Sequence, residues 1–331
     1  MEKELKMHGF ENMPKLLKER YYVYHDNDFM LKTIDSELES IDPYNLPEEN
    51  RIDLIARIND ECEKNPWYFF RKILRQVTGE PFTVSVATLT LLRLMLNGAN
   101  VIYKTPRQTW ATTTVVGMMI WEAIYRPENK SNLIRIFGDD AADMDAIMMR
   151  VHRMLDRLPA YIIDKSMLTI SEDRTEFQLS GSSILKQYIC LNGRLDSDYP
   201  GSWFVDDAEY SSMDPRSVQS RDSSDTTWRV FRIHGISDSS SHESERWRQM
   251  IKEAFPWNNA LHALPDIAIK EIAHKNVIYV KCAADEILSD EQIATMRSVL
   301  GSLDDDDAVF RREVLLYDDY SIDPVFTSSK F

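Results

Sequence analysis

From residue 100 the chain alternates short apolar runs with longer segments in which apolar residues return at helical spacing. Residues 100–104 (Asn-Val-Ile-Tyr-Lys) read as a strand, 112–125 as a helix, 132–137 as a strand and 141–158 as a long, methionine-rich helix. Period-two runs at 167–170, 176–179 and 183–190, separated by Asp173-Arg174 and Gly181-Ser182, predict a meander. Further buried strands are expected at 202–205, 228–233 and 276–280. Upstream, Asn65-Pro66-Trp67-Tyr68-Phe69-Phe70 opens an aromatic-rich helix, and 83–97 predicts another. Residues 1–60 read as short helices and acidic connectors, broken at Asp42-Pro43 and Leu46-Pro47, with no chemistry in view.

Repeated strand, turn and helix argue for a mainly parallel sheet covered by helices, an α/β domain. In such sheets ligands collect beyond the carboxyl ends of the strands. The junctions just after each strand are therefore where chemistry is expected.

Composition narrows the field. At 331 residues there is ample material for a buried core. The net charge of −15 excludes a surface that attracts nucleic acid everywhere, so any such contact must rest on local Lys and Arg. Cys62, Cys190 and Cys282 lie far apart without a C-x-x-C pair, which suggests neither a zinc site nor a disulfide framework and fits a reducing cytoplasm. The longest apolar stretch, around 115–124, contains Glu122 and is too short to span a membrane, and the charged start Met1-Glu-Lys-Glu carries no signal segment. The run Asp304 to Asp307 lacks the spaced ligands and glycine of a calcium loop; it reads as a solvated turn whose last Asp caps a helix over 308–316.

Two junctions carry candidate chemistry. The first, Lys104-Thr-Pro-Arg-Gln-Thr-Trp-Ala-Thr-Thr113, lies between strand and helix, where a phosphate-binding loop belongs. A standard loop, G-x-x-x-x-G-K-[ST], uses glycine for close backbone approach, lysine for the β/γ-phosphates and a hydroxyl for Mg²⁺. Here Thr112 supplies the hydroxyl, while Trp110 stands at the glycine position and Ala111 at the lysine position. The second, Trp203-Phe-Val-Asp-Asp-Ala-Glu209, is an apolar strand ending in consecutive acids, as in a Walker B element. One carboxylate there holds Mg²⁺ and its neighbour orients the attacking water, roles that suit Asp206 and Asp207. If the strand continues, alternation puts Glu209 on the face of Asp207, which leaves it as an alternative catalytic acid.

The order N-P-W-Y-F-F, P-F-T at Pro81, P-R-Q before T-T, G-S-S-I at Gly181 and F-V-D-D resembles the N-terminal ATPase domain of tailed-bacteriophage large terminases, over roughly residues 60–318. Ser289-Asp-Glu-Gln-Ile, Met296-Arg297 and Phe310-Arg-Arg-Glu313 look like that domain's closing segment. The resemblance implies a RecA-like P-loop NTPase core with a small helical subdomain, divided as 1–60 helical subdomain, 61–255 ATPase core and 256–331 the C-terminal part of the ATPase domain leading toward a nuclease domain. It implies ATP and Mg²⁺ as ligands, with Pro106, Gln108, Thr109, Thr112 and Thr113 at the nucleotide and Asp206 with Thr112 at the metal. Lambda-type terminases resemble a variant whose lysine stands three residues before the loop arginine. Lys104 stands three before Arg107, which makes it the candidate phosphate lysine; otherwise it is a surface residue at a strand end. Arg107 and Asp207 take the catalytic roles, and Ser237, in the stretch after the next strand, is the candidate coupling residue. An engineered change at Ala111 would explain the missing lysine but not Trp110.

The implied activity is translocation of double-stranded viral DNA into a procapsid, by a pentameric ring on the portal protein supplied with DNA by a small terminase subunit. The implied location is the cytoplasm of the infected host, transiently on the portal, and not a membrane. No nuclease activity is expected of residues 1–331. The alternatives are a helicase-like motor, which would need a second RecA-like lobe, and an assembly subunit that no longer turns over ATP.

Overall fold

The computed structural model describes residues 33–82, 86–96, 98–106, 109–126, 130–137, 144–171, 176–179, 183–191, 201–206, 208–210, 227–234, 247–251, 254–257, 267–272, 277–282, 288–300, 310–311 and 314–316. Its helices are α1 (Arg51–Lys64), α2 (Val86–Leu96), α3 (Ala111–Tyr125), α4 (Met144–Asp156) and α5 (Asp290–Leu300). The strands are β1 (Asn100–Lys104), β2 (Lys130–Phe137), β3 (Leu168–Ile170), β4 (Glu176–Leu179), β5 (Ser183–Leu191), β6 (Ser202–Asp206), β7 (Arg229–Ile233), β8 (Ala254–Trp257), β9 (Ile267–Ile272) and β10 (Val277–Cys282).

All these strands join one sheet in the order β3-β4-β5-β2-β6-β7-β1-β10-β9-β8. The run β5-β2-β6-β7-β1-β10 is parallel throughout, with antiparallel strands added at both edges. This is the α/β, mainly parallel architecture that the strand-helix alternation predicts. The strands expected at 100–104 and 202–205 are present, the second extended by Asp206. The helix expected at 141–158 is observed over Met144–Asp156 and ends two residues earlier than expected, while 141–143 lie outside the described residues. Strands β8 and β9 escaped the sequence reading. Pro256 interrupts the pattern of β8 and is tolerated there because β8 is the last strand of the sheet, where a missing N–H costs no ladder bond. Of the helix expected over 308–316, residues 310 and 311 are helical; Asp304 to Asp307 lie outside the described residues.

Local chemistry explains the start of the core. Asn65 caps a helical turn, its side chain accepting from Tyr68 N–H at 3.2 Å, and Pro66 occupies the first helical position, where its missing N–H is not needed. The turn widens into a π-helical stretch, Phe69–Ile73, that buries Phe69, Phe70 and Ile73. Their rings and Leu74 pack against α3, which is apolar around most of its circumference and buried from Thr113 to Glu122.

Gly117 marks the closest approach. A Cβ there would lie 2.6 Å from Leu74 Cδ2 and 2.8 Å from Phe70 Cε1. Both are packed side chains, so Gly117→Val is expected to cost about 1–3 kcal/mol through overpacking, even though it removes a glycine from a helix interior. Urea denaturation of the variant checks this; unchanged stability would mean the aromatic layer can shift. Two indoles complete the frame. Trp121 Nε1–H donates to Cys62 O at 2.8 Å, and Trp228 Nε1–H donates to Glu122 Oε1 at 2.9 Å, so the buried Glu122 ties α3 to the start of β7.

Candidate nucleotide site at the ends of three strands

Residues on the central strands alternate between two clusters. Tyr103, Phe204 and Val230 pack into the cluster that contains α2, α3 and α4, whereas Ile102, Trp203, Val205, Phe231 and Ile233 pack with Trp247 and Met250 on the opposite face. Because β7 lies between β6 and β1, the carboxyl ends of these strands stand side by side. The register pairs Lys104 with Ile233 and Tyr103 with Arg232 across β1 and β7, and Val205 with Phe231 across β7 and β6. Lys104 and Asp206 thus stand two strands apart, about 10 Å between backbones at the usual strand spacing.

Asp206 extends from β6 on the α3 face and meets Arg232 of β7. Arg232 Nη1 donates to Asp206 Oδ1 at 2.7 Å, with the two side chains 11% and 7% exposed. A charged side chain in a central strand needs a partner, since burial of a lone ion is prohibitively costly. That requirement was the available sequence signal for Arg232: a guanidinium inside the apolar run Arg229-Val-Phe-Arg-Ile233 implies a carboxylate nearby. The pair uses one oxygen of Asp206.

Between β1 and α3 the loop has two features. Trp110, at the glycine position of the motif, has φ 64° and ψ 9°, the left-handed conformation for which glycine is usually selected. Its indole is 39% exposed and offers no cap to α3. The regular bonding of α3 begins with Thr114 N–H donating to Trp110 O at 2.8 Å, so the amides of Ala111, Thr112 and Thr113 belong to the first turn, whose N–H groups have no partner within a helix. Left-handed backbone costs an L-residue about 1–2 kcal/mol, against about 0.5–1 for the extra chain entropy of glycine. Trp110→Gly is therefore expected to stabilise the fold by roughly 0.5–1 kcal/mol. A lowered melting temperature would show that the indole makes compensating contacts.

The remaining sequence-predicted residues fall as follows. Pro106, Thr109 and Thr113 are buried around the loop, and Thr112 is partly exposed in the first turn of α3. Thr109 Oγ1–H donates to Pro106 O at 2.8 Å, and Arg150 Nη1 of α4 approaches Thr113 Oγ1 at 3.5 Å. Lys104 is 1% exposed, which corrects its reading as a surface residue: it closes a strand buried along its whole length. Alternation places it with Ile102, on the face opposite Asp206. Glu209 is buried, and its Oε1 accepts from His234 N–H at 3.1 Å. Arg107, Gln108, Asp207 and Ser237 lie outside the described residues.

The described residues include no group of three or more His, Cys, Asp or Glu suited to a metal. A single strand-end carboxylate, Asp206, still fits Mg²⁺, which is commonly held by one or two carboxylates together with substrate phosphates. Cys62 and Cys282 are buried thiols, and burial pushes the Cys62 thiol up to about 12, so it stays protonated at neutral pH. No helix among the described residues is long and apolar enough to cross a membrane.

No protein-family model and no curated protein sequence matches the chain. Solved structures do. The large terminase of bacteriophage HK97 superposes with a TM-score of 0.50 at 9% identity, over 75% of this chain and 53% of that one. The large terminase of a thermophilic bacteriophage, in complex with ATP-gamma-S, gives 0.43 at 10% identity over 71% and 53% of the two chains. The large terminase ATPase domain of Thermus phage P74-26 gives 0.44 at 14% identity over 72% and 95%. The part of this chain that is matched spans about half the length of the HK97 terminase. Over that shared portion, this chain has the fold of the HK97 large terminase.

Proposed function

We propose that this chain is an ATP-driven motor that moves double-stranded viral DNA into a procapsid. The observation that carries the reading is the placement of Lys104, Asp206 and the loop into the first turn of α3 at the carboxyl ends of β1 and β6, the two strands that flank β7 in a parallel sheet. This is where α/β sheets bind ligands, and an uncapped helix start favours an anion such as a phosphate.

In this reading the amides of Ala111 to Thr113 and the Lys104 ammonium hold the phosphates, with Pro106, Gln108 and Thr109 shaping the loop. Asp206 and the Thr112 hydroxyl would hold Mg²⁺, which when bound neutralises charge developing on the transferred phosphoryl group. Asp207 orients the attacking water. Glu209 is the weaker candidate for that task because its carboxylate already accepts from His234 N–H in a buried turn. Arg107 carries a permanent planar charge suited to phosphate oxygens, from its own subunit or toward a neighbour. Ser237, following β7, relays the state of the site to the DNA.

A pentameric ring on the portal, a small subunit that delivers DNA, and residence in the host cytoplasm belong to the same proposal. The net charge of −15 requires the DNA contact to be local. ATP hydrolysis measured with and without double-stranded DNA and portal tests the function. DNA-stimulated turnover that disappears in Asp207→Asn, with ATP binding retained, is expected. Turnover at the full rate in Asp207→Asn would transfer the role to Glu209, and no turnover under any condition would favour an assembly subunit.

A further inference from the structure

The turn after β6, the end of β7 and the start of the phosphate loop are joined by one buried chain of hydrogen bonds. His234, the residue immediately after β7, is 2% exposed; Glu209 is 4% exposed and Thr105 fully buried. His234 N–H donates to Glu209 Oε1 at 3.1 Å, and His234 Nδ1 lies 3.0 Å from Thr105 O. A carbonyl only accepts, so the proton of this bond sits on Nδ1. Thr105 N–H in turn donates to Ile233 O at 3.3 Å, which carries the β1–β7 pairing one residue beyond the strand.

Directionality continues into the loop. Thr109 Oγ1–H donates to Pro106 O, leaving Thr105 as the donor in its 2.7 Å contact with Thr109. Thr109 directly precedes Trp110, whose carbonyl begins the bonding of α3. The imidazole therefore grips the first carbonyl of the loop, and the threonine pair passes that constraint to the residue before α3. We propose that His234 is a positioning residue for the phosphate loop, held in place by Glu209 and acting through Thr105 and Thr109 on the first-turn amides of α3.

This rests on the nucleotide-site reading for its purpose, though not for its geometry. A buried histidine that only fills space and satisfies a strand end would tolerate any side chain that keeps the fold. A positioning histidine needs a donor at the δ position. Asn places its amide nitrogen where Nδ1 stands, whereas Gln places it near Nε2, so the two polar substitutions separate the readings.

The test compares wild type, His234→Asn, His234→Gln and Thr109→Val by hydrogen–deuterium exchange of residues 105–113 without nucleotide, and by calorimetric titration with Mg-ATP. Expected are exchange and affinity within about twofold of wild type for His234→Asn, and at least about tenfold faster exchange and weaker binding for His234→Gln and Thr109→Val, the loss of one buried hydrogen bond to a loop. Thr109→Val leaves the histidine untouched and serves where a His234 variant fails to fold. Slow, wild-type exchange in both His234→Gln and Thr109→Val would overturn the inference. If the exchange pattern holds while wild type binds no nucleotide, the positioning of the loop stands and the proposed function falls.

Discussion

Arg232→Met is expected to destabilise the fold by about 3–5 kcal/mol, the cost of leaving one member of a buried ion pair without its partner. The Asp206 carboxylate, nearly enclosed at the end of β6, would then have lost the guanidinium 2.7 Å away. Asp206→Leu removes the carboxylate from the same pair and should also destabilise the fold. Because two apolar side chains of similar bulk need no desolvation of charge, the double variant should recover most of the loss. It should not recover ATP turnover, since the carboxylate proposed for the metal is gone. Urea unfolding of the three variants checks the stability pattern. Additive losses in the double variant would mean that each side chain is held by other contacts, and that the pair is incidental to the site.

Lys104→Met is expected to weaken Mg-ATP binding by about 10–150-fold, corresponding to roughly 1.5–3 kcal/mol for a hydrogen bond to a charged group. Methionine retains most of the apolar stem and so preserves packing at the end of β1, where an alanine would open a cavity in a buried strand. The burial of Lys104 makes this choice necessary. By strand alternation its side chain starts on the face of Ile102, away from Asp206, so contact with a phosphate requires the chain to pass over the strand end. If the lysine serves only the packing of that face, affinity for ATP will be unchanged while stability alone responds. Ala111→Lys should then matter little under the Lys104 reading; a large gain in hydrolysis would favour a lost lysine at the usual position.

The local elements were legible because their patterns are local. Residues 100–104 and 112–125 gave a strand and a helix whose observed ends differ by at most one residue, and Asp206 does stand at a strand end. The same pattern carried the class of the fold, since strand and helix alternate along the chain. What stayed hidden depends on strand order. Nothing local to 228–233 announces that this strand lies between β1 and β6, and that placement turns Arg232 from a scattered charge into the partner of Asp206. The role of His234 stayed hidden for the same reason: its partners Thr105 and Glu209 are distant in sequence and adjacent only in the sheet. The alternative of Lys104 as an exposed strand-end residue could not be judged locally either; here β7 and β10 flank it on both sides. The loop's departure from glycine was visible at once, but its consequence, a tryptophan in left-handed backbone, is a property of conformation.

Calorimetric titration of the intact chain with Mg-ATP, repeated with Lys104→Met at matched folded fraction, tests the central claim most directly. One saturable site in the wild type and at least about tenfold weaker binding in the variant is the predicted result. Equal affinity in the two proteins, or no binding by the wild type, would contradict a phosphate site at the ends of β1, β7 and β6.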